Sequence, residues 1–113
     1  MPMIALTTTA NVIPVISEQL SAGFGRIVTL IPGKSEARLM LSFTGGVSMR
    51  FGGEIRSAAF VEVSLFGRAP VQAYDNFTAA VCELLEEVID VPPENVFIKY
   101  SETEHWGWNG HNL

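Results

Sequence analysis

Apolar and polar positions change period several times along the chain, and each change marks an element. Met3–Thr9 is a strand-like run that leads into three threonines. For the helix expected from Pro14 to Leu30, Ile16, Leu20, Phe24, Ile27, Val28 and Ile31 recur at helical spacing, while Ser17, Glu18, Ser21 and Arg26 fall opposite. Pro14 suits a first turn, and Asn11 is a plausible cap. Gly23 and Gly25 weaken this helix by propensity, so close packing is expected there. Pro32-Gly33 ends it, and a second strand is expected over Glu36–Phe43. Thr44-Gly45-Gly46 and Gly52-Gly53 bracket a short segment, Val47–Phe51. Ala58–Phe66 is a strongly β-prone run. Pro70 opens a second helix with Phe77, Val81, Leu84, Leu85 and Val88 on one face and Glu83, Glu86 and Glu87 toward water. Pro92-Pro93 stops that helix, Asn95–Tyr100 reads as a strand, and the tail from Trp106 is aromatic and turn-rich.

Strand, helix, strand is thus written twice in one domain, residues 1–113. The expected class is α/β (α+β). Two pseudo-symmetric βαβ units, each with a right-handed crossover, build a four-stranded mixed sheet with two helices on one face. The other face is left bare. Hydrophobic residues make up 48% of the chain and charged residues only 17%, so the surplus apolar surface asks for a second copy.

The net charge of −5 argues against nucleic acid as a partner. Lys34, Lys99, Arg26, Arg38, Arg50, Arg56 and Arg68 are scattered, so a cation at a pocket is worth tracing to an anionic ligand. The single cysteine, Cys82, excludes an internal disulfide and reads as core filler. Together with His105 and His111 it makes no credible metal site, and no cofactor is expected. No basic and apolar leader opens the chain and no stretch reaches membrane-spanning length. The expected location is cytoplasmic, with any export by a non-classical route.

The start, Met1-Pro2, carries the candidate chemistry. Methionine aminopeptidase removes a methionine that precedes a residue as small as proline. The processed chain would then open on a secondary amine, held by the strand that follows. Retained Met1 would instead leave the Pro2 nitrogen an amide, with no basic lone pair.

Met1-Pro2, Gly33-Lys34, Met49-Arg50-Phe51-Gly52-Gly53, Leu65-Phe66-Gly67, Val96-Phe97-Ile98 and Gly107-Trp108-Asn109-Gly110 follow one another along the whole chain. In this order and spacing the sequence resembles the macrophage migration inhibitory factor family, with its relative D-dopachrome tautomerase. The resemblance implies a homotrimer whose sheets form a central barrel, with a small pocket at each subunit interface. It implies keto–enol tautomerisation of phenylpyruvate-like acids, small aromatic 2-keto acids, with Pro2 as general base. It also implies substrate-binding roles for Lys34, Phe66, Phe97, Lys99 and Trp108. In the eukaryotic branch it implies a secreted, cytokine-like signal read by a cell-surface receptor. The alternative reading is therefore an interaction protein with weak or vestigial activity.

Two departures stand out. Phe97 occupies the place of a tyrosine in vertebrate members, and Lys99 that of an asparagine. Phenylalanine can wall a pocket but donates no proton, whereas Lys99 adds a cation. Ala58-Ala59-Phe60-Val61 stands where the family carries Cys-x-x-Cys, so a thiol-redox activity does not carry over.

Overall fold

In the computed structural model, which describes residues 1–113, two parallel strand pairs meet across an antiparallel seam. Strands β1 (Pro2–Thr8) and β2 (Met40–Thr44) run parallel with helix α1 (Pro14–Ile27) between them. After the short hairpin strands β3 (Arg50–Phe51) and β4 (Glu54–Ile55), the plan repeats. Here β5 (Ala59–Phe66) and β6 (Val96–Thr103) are parallel and flank α2 (Val71–Ile89). The sheet order is β2-β1-β5-β6, with β1 antiparallel to β5. A last hairpin, β7 (Gly107–Trp108) with β8 (His111–Asn112), folds the tail.

Side-chain parity assigns the two faces. Ile4 and Leu6 of β1, and Val61, Val63 and Leu65 of β5, are fully buried under the helices. Phe24 of α1 and Phe77 of α2 are the largest side chains in that core. The opposite parity lies on the uncovered face. There Met3, Ala5 and Thr7 stand beside Phe60, Glu62 and Ser64, with Phe97, Lys99 and Ser101 at one edge and Met40, Ser42 and Thr44 at the other. Met40 is 67% and Phe97 64% exposed, so no part of the chain itself covers this face at its edges.

Several local expectations are corrected. Helix α1 begins at Pro14, so its N-cap is Ile13, and Asn11 lies too far upstream to reach the first free amides. Its expected last turn tightens into a 3-10 turn over Val28–Leu30. Glu36–Arg38, expected in the second strand, forms another 3-10 turn, and the strand starts only at Met40. The cause is a close approach: a Cβ on Gly25 would overlap the Glu36 carboxylate, and one on Gly23 would overlap the Leu84 side chain of α2. The two glycines thus give up helix propensity for contact between elements. Asn95 belongs to a 3-10 turn, and β6 runs on to Thr103. Cys82 is half-buried rather than core, because it follows Val81 at the edge of the inward face of α2; burial pushes its thiol pKa up, and Glu86 adds to this.

Gly45 fixes the loop after β2 against the loop after β1. A Cβ there would stand 2.7 Å from the Ala10 carbonyl oxygen and 2.8 Å from the Val12 nitrogen, backbone atoms that cannot turn aside. The amides of Gly46 and Val47 donate to Ala10 and Thr8 across the same seam at 2.9 and 3.1 Å. Gly45→Ala is therefore expected to lose about 1–3 kcal/mol of stability, read as a lower urea midpoint at unchanged slope. An unchanged midpoint would show that the seam can open without cost.

Candidate active site

The start of β1 is the centre of the site, and three segments converge on it. Antiparallel pairing sets Pro2 opposite Leu65, which brings the end of β5 alongside. The Phe66 amide donates to the Met1 carbonyl at 3.2 Å. Ile31-Pro32-Gly33-Lys34 then makes a tight turn: proline and glycine hold the central positions, Gly33 has φ 78°, and the Lys34 amide donates to the Ile31 carbonyl at 3.1 Å. The turn swings the Lys34 side chain over the end of β5. Its ammonium donates to the Phe66 carbonyl at 2.9 Å. One of three ammonium N–H groups is thereby held, leaving two to point elsewhere.

Pro2 is buried on the helix side of the strand, beneath Met1. A cavity of about 260 Å³ opens beside them. Met1, Pro2, Met3, Leu39, Met40, Trp106 and Trp108 supply its apolar wall, and Arg38 its one charge. The Arg38 guanidinium lies 4.6 Å over the Trp108 ring. Lys34 is not on this wall; it lies close enough to Met1, which lines the cavity, for its charge to act on the Met1 α-amine.

Electrostatics at this point are unusual for an acidic protein. The α-amine at Met1 is lowered from 8.0 to about 6. Burial is the largest cause, followed by the positive charge of Lys34, its hydrogen bond, and the charge of Arg38. An amine in these surroundings is mostly neutral at pH 7.

Of the residues expected at the site, Pro2 and Trp108 line the cavity, and Lys34 and Phe66 meet each other beside Met1. Phe97 and Lys99 do neither. They lie on the uncovered face of β6, where Phe97 packs on Phe51 at 4.9 Å between ring centroids and Lys99 is paired in register with Glu62. Pro2 lies on the helix side of a strand two positions across the sheet. Within one chain, then, neither residue reaches the N-terminus. Sequence reasoning passed over Arg38 and Trp106. Arg38 fell inside the expected strand, and it lines the cavity from the 3-10 turn that precedes β2; Trp106 was legible in the aromatic tail. A larger hollow of about 470 Å³ lies at the other end of β1, near Thr9, Arg56 and Asp90. Its arginine is engaged by Glu54 at 2.8 Å, and no amine or free cation is gathered there. No three His, Cys, Asp or Glu residues lie close enough to hold a metal ion, and no helix is long and apolar enough to cross a membrane.

Two βαβ units side by side on one mixed sheet, with both helices on one face, define a small α+β class. The chain belongs to the macrophage migration inhibitory factor family, whose model it matches over residues 1–113. This fold supports a tautomerase or a cytokine-like role. Among solved structures, MIF2 of Leishmania major is similar at 26% identity, with a TM-score of 0.93, 100% of this chain covered and 97% of that one. A macrophage migration inhibitory factor-like protein of Entamoeba histolytica is 18% identical, with a TM-score of 0.87 and coverage of 99% and 98%. The homologue from Prochlorococcus marinus is 23% identical, with a TM-score of 0.81 and 97% of each chain covered. At the identities of the last two, the likeness is one of fold. Comparison with curated proteins gives no significant match.

Proposed function

We propose that this protein is a keto–enol tautomerase of phenylpyruvate-like 2-keto acids, with Pro2 of the processed chain as general base. The observation that carries the reading is the amine environment at the start of β1: burial, Lys34 and Arg38 hold the Met1 α-amine near pKa 6, and the same surroundings lower a Pro2 amine in the same direction. In the keto-to-enol direction, the neutral Pro2 nitrogen takes a proton from the carbon next to the keto group. The C–H electrons form the new C=C bond, and the carbonyl electrons move to oxygen, which is then protonated by the prolinium or by water. The two free N–H groups of Lys34 suit the substrate carboxylate and the developing enolate. Phe66 positions Lys34 through its backbone carbonyl, and Trp108 walls the aromatic ring. The test is ketonisation of enol-phenylpyruvate by protein whose intact mass shows that Met1 is gone. Turnover above the buffer rate supports the reading, and none at all refutes it.

The uncovered sheet face supports assembly as a homotrimer. A neighbouring copy laid against that face would bring its own Phe97 and Lys99 toward the pocket, which one chain alone leaves open on that side. Sedimentation equilibrium at micromolar protein is expected to give three chain masses. A monomer would remove both the assembly and the shared pocket.

A cytokine-like role is the second reading. Phe97 favours it, since no hydroxyl stands at that position to protonate the enolate oxygen. A protein that is trimeric and Met-free yet inert toward enol-phenylpyruvate would turn the assignment toward a cell-surface receptor.

A further inference from the structure

Arg38 is a cation without a counter-ion. The single ion pair of the chain joins Arg56 to Glu54 at 2.8 Å. The only hydrogen bond of the Arg38 side chain is a 3.4 Å contact to the carbonyl of its own neighbour, Ala37. The nearest acidic residue in sequence, Glu36, turns its carboxylate away toward Gly25 of α1. Yet Arg38 is not a free surface charge. Its guanidinium is laid over the Trp108 ring at the wall of the cavity that Met1 and Pro2 line. A guanidinium held over a ring face by its charge keeps most of its five N–H groups unspent. Those groups form a fork suited to a carboxylate.

Charge placement points the same way. The chain carries −5 overall, but an amine, Lys34 and Arg38 share one end of the molecule with no carboxylate ion-paired to them. Like charges gathered at one place repel, and an anion bound among them relieves the repulsion. One carboxylate can be met by Lys34, which stands behind Met1 and beside the end of β5. Arg38 stands on the cavity wall formed by the Ala37–Met40 segment and the tail hairpin. A substrate held by Lys34 at its 2-keto acid end and lying along the apolar wall would present its far end to Arg38.

We propose that Arg38 is a second anion-binding residue of this site, selecting 2-keto acids that carry a further carboxylate, or a comparable anion, at the end remote from the keto group. The proposal rests on the tautomerase reading for the 2-keto acid end alone; the second contact is a matter of binding. Trp106 and Trp108 are the only tryptophans in the chain and both line the cavity, so quenching of their fluorescence reports occupancy directly. Two unreactive probes separate the contacts: phenylacetate, with one carboxylate, and 4-carboxyphenylacetate, with two. Processed wild-type protein is expected to bind the dianion about tenfold more tightly than the monoanion. Arg38→Ala and Arg38→Gln should both abolish that preference, and Arg38→Lys should keep part of it. Arg38→Gln retains a planar head for Trp108, so a loss there is due to charge and not to a loosened tail. Equal wild-type affinity for the two probes, or an equal loss for both in Arg38→Gln, would overturn the proposal. A preserved dianion preference in protein that fails to ketonise enol-phenylpyruvate would refute the tautomerase reading and leave this one standing.

Discussion

Inserting one alanine between Met1 and Pro2 is expected to reduce tautomerase turnover by roughly 10²–10⁴-fold, the usual contribution of a positioned general base. The insertion converts the Pro2 nitrogen to an amide, and the amine that replaces it stands one residue farther out. Little else changes. Pro2 is already paired with Leu65 and buried below Met1, and the Phe66 amide already finds a carbonyl on the preceding residue. The variant should therefore fold and sediment like the unmodified protein while losing kcat. Pro2→Gly should fall in the same direction by a smaller factor, because a primary amine remains at the right place but is less constrained. Intact mass must accompany each assay, since incomplete removal of Met1 dilutes the active fraction. Full turnover in protein shown to carry the extra alanine would eliminate Pro2 as base.

Lys34→Ala is expected to act twice. Loss of a charge-assisted contact to the substrate carboxylate should reduce kcat/KM about 10–100-fold, mostly through KM. The second effect is on pH dependence. A general base works only when neutral, so kcat/KM should be flat above the amine pKa and fall tenfold per pH unit below it. Lys34 is the second cause of the lowered amine pKa at this terminus, after burial. Removing its charge makes the protonated amine easier to form, so the midpoint of the fall should move up toward the ordinary 7.7–8.0, and stop short of it because burial remains. Arg26→Ala, on the exposed face of α1, is the control and should change neither quantity appreciably. Equal effects of the two substitutions would mean that Lys34 contributes only general charge.

What could be read in the sequence, and what could not, follows from where each constraint lies. The strands β1 and β5 were legible because burial under the helices imposes period two on Ile4, Leu6, Val61, Val63 and Leu65. The placement of Lys34 was half-visible in Pro32-Gly33, whose turn chemistry is local. The 3-10 turn over Glu36–Arg38 was not, since it depends on Glu36 packing against Gly25, a contact between separate elements. Arg38 stood inside the expected strand with no motif to mark it, although the parallel register of β1 and β2, Met3 opposite Met40, leads that segment back toward Met1. Phe97 and Lys99 illustrate another limit. Resemblance assigned them to the pocket, but the parity of β6 turns Ile98 and Tyr100 toward the core and so sends Phe97 and Lys99 to the uncovered face. A role for them at Pro2 depends on a second copy, a relation no single chain can display.

The central claim is that the Pro2 nitrogen is an amine made neutral at physiological pH by its surroundings. Proline-specific ¹⁵N labelling of the processed protein measures this directly. Of the six prolines in the chain, five have amide nitrogens that do not titrate, so one resonance should move with pH. A midpoint below the ordinary α-amino range, rising on Lys34→Ala, is the predicted result. A midpoint at or above the ordinary α-amino range of about 7.7–8.0 would contradict it.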